Sequence, residues 1–207
     1  MLRLHDYWRS SASYRVRIAL NLKGLAFETV PVDLVAGDQR GTANLAVSPQ
    51  GLVPTLEVDS ARITQSLAII DYLDHVYPDP PLLPVDPVAR AQQMAMALVI
   101  AADIHPIDNP RVLAQLTDRF GADQAGRDGW YAHWIMLGFD ALEKMAGKGI
   151  YLGGDHPGLA DICLVPQMYN ARRFNVPLDA YPRLVAADAA ATALPGFAAA
   201  HPDNARP

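Results

Sequence analysis

The sequence predicts an α/β domain over residues 1–78, a proline-rich linker over 79–87 and an all-helical domain over 88–207. Three observations carry this. Short strand-like and helix-like segments alternate through the first third, in the order βαβ, a loop or short helix, then ββα. Five prolines fall within the eleven residues Tyr77–Pro87 (YPDPPLLPVDP), a stiff stretch suited to a boundary. Beyond it the patterned segments have a helical period and none reads as a strand.

The elements follow in order. Leu2 to Tyr7 reads as a strand, and Tyr14 to Lys23 as a helix with Val16, Ala19 and Leu20 on its apolar side and Lys23-Gly24 as its stop. Phe27 to Val32 reads as a second strand. Thr55 to Val58 and Arg62 to Thr64 form a short strand pair about the turn at Asp59-Ser60. Leu67 to Val76 reads as a helix that Pro78 ends. Four further helices are expected at Val88–Asp103, Gly129–Met145, Leu159–Phe174 and Arg183–Thr192. The alanine-rich tail from Ala186 to Ala200 favours helix and is interrupted by Pro195-Gly196.

Composition narrows the function classes. The chain has 207 residues, of which 51% are hydrophobic and 19% charged, enough apolar material for a core and against global disorder. A net charge of −5 argues against a general basic field for nucleic acid, though not against a local basic pocket. The single cysteine, Cys163, excludes an intrachain disulfide and any CxxC redox or zinc pair. The longest apolar run, Met94 to Ala102, is far short of the ~20 residues that span a bilayer. With no basic, apolar leader before the first strand, the expectation is a protein of the reducing cytoplasm.

Four segments carry chemistry. Trp8-Arg9-Ser10-Ser11-Ala12-Ser13-Tyr14-Arg15 joins the first strand to the first helix and collects hydroxyls and backbone N–H groups where the helix dipole favours an anion. A plain N-cap is the competing reading, since Ser is a preferred cap. Ser48 to Leu56 places Val53-Pro54 at the start of a strand. Gln65-Ser66 opens a helix, again either an anion site or a cap. In Asp103-Ile104-His105-Pro106-Ile107-Asp108-Asn109-Pro110-Arg111, two prolines must end or kink a helix. Its acidic residues and His105 match no metal-site spacing, so no metal is expected.

RSSASYRVRIALNLKG (Arg9 to Gly24), PQGLVPTL (Pro49 to Leu56), QSLAIIDYL (Gln65 to Leu73) and LADICLVPQMYNARRF (Leu159 to Phe174) together resemble the zeta-class glutathione transferases, the class of the maleylacetoacetate and maleylpyruvate isomerases. The resemblance covers nearly the whole chain. It implies a thioredoxin-like domain followed by an all-helical domain, glutathione as cofactor and a homodimer.

The resemblance also assigns roles. Ser10 and Ser11 would face the glutathione sulfur as the catalytic residues. Val53, before a cis Pro54, would pair its backbone with the cysteinyl unit, and Gln65 and Ser66 would hold the γ-glutamyl end. Gln39 would touch the glycyl end. The 103–111 segment looks like the DIHPINN stretch of bacterial members, which assigns His105, Asn109 and Arg111 to glutathione and substrate. An arginine directly before Phe selects Arg173 as inward-facing; adjacent helical residues point ~100° apart, so Arg172 falls to the surface. Asp161 is structural, beside a Gly158 that stands where the family's capping box has Ser or Thr. Cys163 reads as a core thiol. Ala12 replaces the Cys or Thr of many relatives, which is tolerable if glutathione brings the nucleophile.

The implied reaction is cis–trans isomerisation of a maleyl diacid in aromatic catabolism, with Arg9, Arg111 and Arg173 binding the carboxylates. Neither nucleic acid nor membrane is expected as a partner. Conjugation or dehalogenation of small α-halo acids, or a transferase-like interaction module without catalysis, are the alternatives.

Overall fold

The structure, a computed structural model, describes residues 1–206. Its first compact unit contains Met1–Leu82 together with the chain from Ala193 on; its second is Leu83–Thr192. In the first unit the elements are β1 (Leu2–Asp6), α1 (Ser11–Leu22), β2 (Phe27–Pro31), α2 (Thr42–Leu45), β3 (Thr55–Val58), β4 (Ala61–Thr64), α3 (Ser66–Val76), α9 (Pro195–Ala199) and α10 (Pro202–Ala205). The second holds α4 (Pro87–Leu98), a π-helical turn (Val99–Ile104), α5 (Pro110–Phe120), α6 (Gln124–Met145), α7 (Leu159–Arg173) and α8 (Pro182–Thr192).

Among the described residues the strands form one sheet, ordered β2-β1-β3-β4. β1 runs parallel to β2 through the α1 crossover, while β3 and β4 are antiparallel to their neighbours. This is the thioredoxin-like arrangement. Leu4 and Leu56 of the sheet, Val16, Ile18 and Leu20 of α1, and Ile69, Ile70 and Leu73 of α3 make the core beneath it.

The sequence reading grouped residues 193–207 with the helical domain, whereas in the structure this stretch packs with the first unit. Buried Arg17 accounts for it. Its Nη1 donates to both carboxylate oxygens of Asp6 at 2.8 and 2.9 Å, its Nη2 to Trp8 O at 2.8 Å and its Nε to Ala200 O at 3.1 Å. The returning chain also places Gly196 so close to α1 that a Cβ would lie 3.2 Å from Leu22 N.

In the second unit, α7 is buried over nearly its whole length, and Leu159, Ile162, Cys163, Leu164 and Met168 are fully enclosed. Asp161 sits at its start, accepting from Leu152 N at 2.7 Å and Gly158 N at 3.0 Å, the structural role expected of it. The helix expected over Val88–Asp103 is α4 followed by a π turn, closed by His105 N donating to Ile100 O at 2.9 Å. The wide turn needs room that Gly138 of α6 provides, since a Cβ there would meet Ile104 Cγ1 at 2.5 Å. α5 was not anticipated. Asn109 caps it by accepting from Arg111 N at 3.2 Å, Pro110 takes its first position, and Gly121 ends it in the left-handed conformation.

Candidate active site

Strand register sets the first half of the site. His5 of β1 pairs with Thr55 of β3, and Thr55 with Thr64 of β4. The C-terminal ends of β1 and β4 and the N-terminal end of β3 therefore share one end of the sheet. The chain leaves or enters there at Tyr7–Ser10, at Val53 and at Gln65-Ser66, so the residues assigned to the thiol, the cysteinyl backbone and the γ-glutamyl end are gathered by topology alone. The Val53–Pro54 peptide is cis, as the resemblance implied.

The two helix starts at this end differ. Ser10 caps α1, its Oγ accepting from Ser13 N at 3.3 Å, and its hydroxyl proton can still donate outward. Ser11 follows in the first turn and is buried. α3 has no side-chain cap. Its N-cap residue Gln65 takes φ +71°, strained for a residue with a Cβ, and its side chain turns away to donate to Gln50 Oε1 at 2.7 Å. The amides opening α3 thus remain for an anion. Ser66 is buried and accepts from Arg15 Nη1 at 3.3 Å. Arg15, a buried cation of α1 that the sequence reading passed over, fixes the Ser66 hydroxyl and adds positive charge beside this helix start. Gln39 lies in the short turn Asp38–Arg40; its main-chain O would be 3.0 Å from a Cβ on Gly51, and its buried Oε1 has no hydrogen-bond partner. Arg9 is exposed, with its guanidinium 5.4 Å from the centre of the Trp8 ring.

The second unit holds the other candidates. α6 links the 105–109 turn to the end of α7. Its Trp130 donates from Nε1 to Ile107 O at 3.0 Å, and its Tyr131 stacks on Phe174 with ring centres 3.7 Å apart. Arg173, expected to face inward, is exposed like its neighbour; it lies over Tyr169 and Phe174 at 5.7 and 5.5 Å and donates to Asn170 Oδ1 at 3.3 Å, with no carboxylate partner among the described residues. Arg172 is exposed, as expected, but it is not merely solvated. Its Nη2 donates at 2.6 Å to Oδ2 of Asp188, a buried residue of α8. Asn109 spends its Oδ1 on the α5 cap, which leaves its Nδ2 for a ligand. Arg111 is in the first turn of α5, exposed and without an ion pair among the described residues. His105 closes the π turn.

Asp108, weighed in the sequence only as a metal ligand and set aside as one, is the most perturbed group here. It is 4% exposed, and neither carboxylate oxygen has a hydrogen-bond partner. Burial pushes it up to about 8. Tyr131 is also pushed up, chiefly by burial and then by the charge of Asp108, while Arg173 acts in the opposite direction.

Among the described residues no cluster could hold a metal ion, and no helix is long and apolar enough to cross a membrane.

A family model described as the glutathione S-transferase N-terminal domain matches residues 4–81. The chain is 49% identical over 207 residues to the maleylacetoacetate isomerase of Rhizobium meliloti (strain 1021), covering 99% of this chain and 97% of that one. It superposes with a TM-score of 0.96 and 44% identity on the holo structure of a maleylpyruvate isomerase described as a bacterial zeta-class glutathione S-transferase, covering 98% and 97% of the two chains. It is also similar to the maleylacetoacetate isomerase of Anaeromyxobacter dehalogenans 2CP-1, whose structure has dicarboxyethyl glutathione and citrate in the active site (TM-score 0.88, 42% identity, 99% and 95% covered). The agreement in sequence and fold runs the length of both units, and the chain belongs to the zeta-class glutathione transferases.

Proposed function

We propose that this protein is a glutathione-dependent cis–trans isomerase of a maleyl keto-diacid. The observation that carries the reading is the gathering of Ser10, Val53, Gln65 and Ser66 at one end of the sheet. There a capped helix start faces the thiol position and an uncapped one offers amides to a carboxylate.

Glutathione thiol with a pKa of ~8.5 is only a few per cent ionised at pH 7. Lowering it by roughly two units needs about 2.7 kcal/mol. Hydroxyl donation from Ser10 and Ser11 together with the α1 dipole is of this order. The thiolate adds to the activated double bond, the former double bond rotates as a single bond, and elimination releases the fumaryl isomer with glutathione regenerated. Dicarboxyethyl glutathione, held by the Anaeromyxobacter relative, has the connectivity expected when a thiol adds across such a diacid double bond.

Two carboxylates on the substrate need cations in a chain of net charge −5. Among the described residues Arg9, Arg111 and Arg173 have no carboxylate partner, and they fill that role, while His105, Asn109 and Gln39 contribute to glutathione. The reading includes a homodimer in the cytoplasm, which sedimentation and cell fractionation test.

Calorimetry and a melt test the cofactor. Glutathione at 100 times its Kd adds about 2.7 kcal/mol to stability. An unmoved melting temperature together with no heat of binding refutes the site. Turnover of maleylacetoacetate or maleylpyruvate, dependent on glutathione, is the expected activity; glutathione binding without turnover of either refutes the isomerase.

A further inference from the structure

The end of the chain returns to the first unit and brings there a cation to which this mechanism gives no role. Trp8 and Arg9 are the two central residues of the tight turn between β1 and α1, closed by Ser10 N donating to Tyr7 O at 2.8 Å. The Arg9 guanidinium stands 5.4 Å from the centre of the Trp8 ring. The guanidinium of Arg206, the residue that follows α10, stands 5.3 Å from the same centre. Trp8 is half-buried and both arginines are exposed. Two cations from opposite ends of the chain thus share one indole, directly before the helix start that faces the thiol position.

This placement is built into the unit. Buried Arg17 donates to Trp8 O at 2.8 Å and to Ala200 O at 3.1 Å, so one side chain ties the β1–α1 turn to the returning chain. Beyond Ala200, the ring of His201 meets Tyr14 of α1 edge-on at 6.2 Å, and Pro202 is buried. Asn204 Nδ2 donates back to Ala198 O at 2.9 Å and Ala205 N to His201 O at 3.2 Å. The tail is therefore anchored up to the residue before Arg206. Asp203, the acid closest to Arg206 in sequence, faces His201 Nδ1 at 3.5 Å. Neither Arg9 nor Arg206 has a carboxylate partner among the described residues. Two guanidiniums at one ring repel each other, and a contact with an exposed ring repays little of that. Each keeps its N–H donors for an anion, because attraction to the ring consumes none of them.

We propose that Arg206 is a substrate-binding residue, which together with Arg9 takes the carboxylate at the keto-acid end of the substrate, the one remote from the alkene. The inference rests on the isomerase reading above. Arg9 adjoins Ser10, whereas Arg206 reaches this edge through Trp8, one residue further from the thiol position. Sulfur adds at the alkene, so a guanidinium set back from the thiol suits a carboxylate several bonds along the tail better than the one on the alkene. A planar guanidinium fork matches a carboxylate bidentately, and a second one beside it neutralises the repulsion that the pair carries when no anion is bound. All of these groups lie in the first unit. Arg206 thereby gives the glutathione-binding unit its own means of telling a diacid from a monoacid.

The test compares two substrates on the parent, Arg206→Ala and Arg206→Lys, with glutathione affinity and melting temperature measured for each. One substrate is maleylacetoacetate or maleylpyruvate, whichever the parent turns over faster. The other is maleylacetone, which keeps the activated alkene and its carboxylate but ends in a methyl ketone without the terminal carboxylate. Arg206→Ala should lower the preference for the diacid, read as the ratio of the two kcat/KM values, by about tenfold to a hundredfold while glutathione affinity is kept. Arg206→Lys, which keeps the charge without the planar fork, should retain part of the preference. An unchanged preference in Arg206→Ala would overturn the assignment and leave the isomerase standing. So would equal losses on the two substrates, the result that loosening of the tail alone would give. A parent that binds glutathione but isomerises no maleyl acid would overturn both.

Discussion

Replacing Gly138 by alanine tests whether the π turn ahead of His105 exists because α6 makes room for it. The new Cβ would meet Ile104 Cγ1 at 2.5 Å. Carbon atoms rest at about 3.5–4.0 Å, so Ile104 must recede by about 1 Å. Ile104 is buried and β-branched, and overfilling a packed site of this kind costs about 1–3 kcal/mol. Alanine also favours helix over glycine by about 0.8–1.0 kcal/mol, which masks part of the cost. The same helix supplies a control in Gly129, where an added Cβ meets nothing within 4 Å. Urea denaturation should therefore show Gly129→Ala more stable than the parent by up to about 1 kcal/mol and Gly138→Ala less stable than Gly129→Ala by about 1–3 kcal/mol. Ile104→Ala removes the obstructing atoms, so the Gly138→Ala/Ile104→Ala double variant should recover most of that difference relative to Ile104→Ala alone. His105 follows Ile104 directly, and kcat/KM should fall in Gly138→Ala and not in Gly129→Ala. Equal stabilities for the two alanine variants, or no coupling to Ile104, would refute the reasoning.

The two adjacent arginines of α7 should separate stability from activity. Arg173→Ala should cut kcat/KM by orders of magnitude with little change in melting temperature, whereas Arg172→Ala, which strands buried Asp188, should destabilise by about 1–3 kcal/mol and leave the kinetics near those of the parent; equal kinetic losses would remove Arg173 from the substrate site. Asp161 is raised from 3.8 to about 6, by burial against the pull of its backbone donors, so in that window the unfolded chain is ionised while the folded one holds a proton. Its contribution is fully present below pH 3.8 and is lost as pH rises through about 6, by up to about 3 kcal/mol, and the stability of the parent relative to Asp161→Asn should fall over that range and flatten above it. A difference that is constant or rises with pH would contradict the assignment.

What the sequence made legible was what neighbours along the chain decide. The strands, α1, α3 and the core helix α7 follow from period and breakers, and their bounds moved by one or two residues, except at α1, which begins three residues early because Ser10, rather than a later residue, caps it. α5 was missed although its signals were present. Asn109-Pro110 was read as a break, when asparagine followed by proline is equally a cap and a first turn, and the helix behind it has no buried residue to mark its period. What depended on distant packing stayed hidden. Helical geometry sends Arg172 and Arg173 in different directions, but it says nothing of the Asp188 that α8 brings to Arg172. Residue order gives no sign that Arg17 holds the returning chain at Ala200, nor that Asp108 is sealed from solvent.

The contrast between the two helix starts shows how far local chemistry can be trusted at a functional site. Serine-rich segments at Ser10 and Ser66 invite the same reading as caps. At α1 that reading is correct and compatible with function, because a hydroxyl that accepts from Ser13 N keeps its own proton to donate. At α3 it fails. Ser66 is held by Arg15 and Gln65 by Gln50, so the helix opens without a side-chain cap and with Gln65 at φ +71°. Such a conformation costs about 1–3 kcal/mol, and a missing cap about 1 kcal/mol more. A carboxylate bound at that helix start would accept from the exposed amides and offset both. The cost borne by this helix start is thus a reason to expect that glutathione binds there through its γ-glutamyl carboxylate.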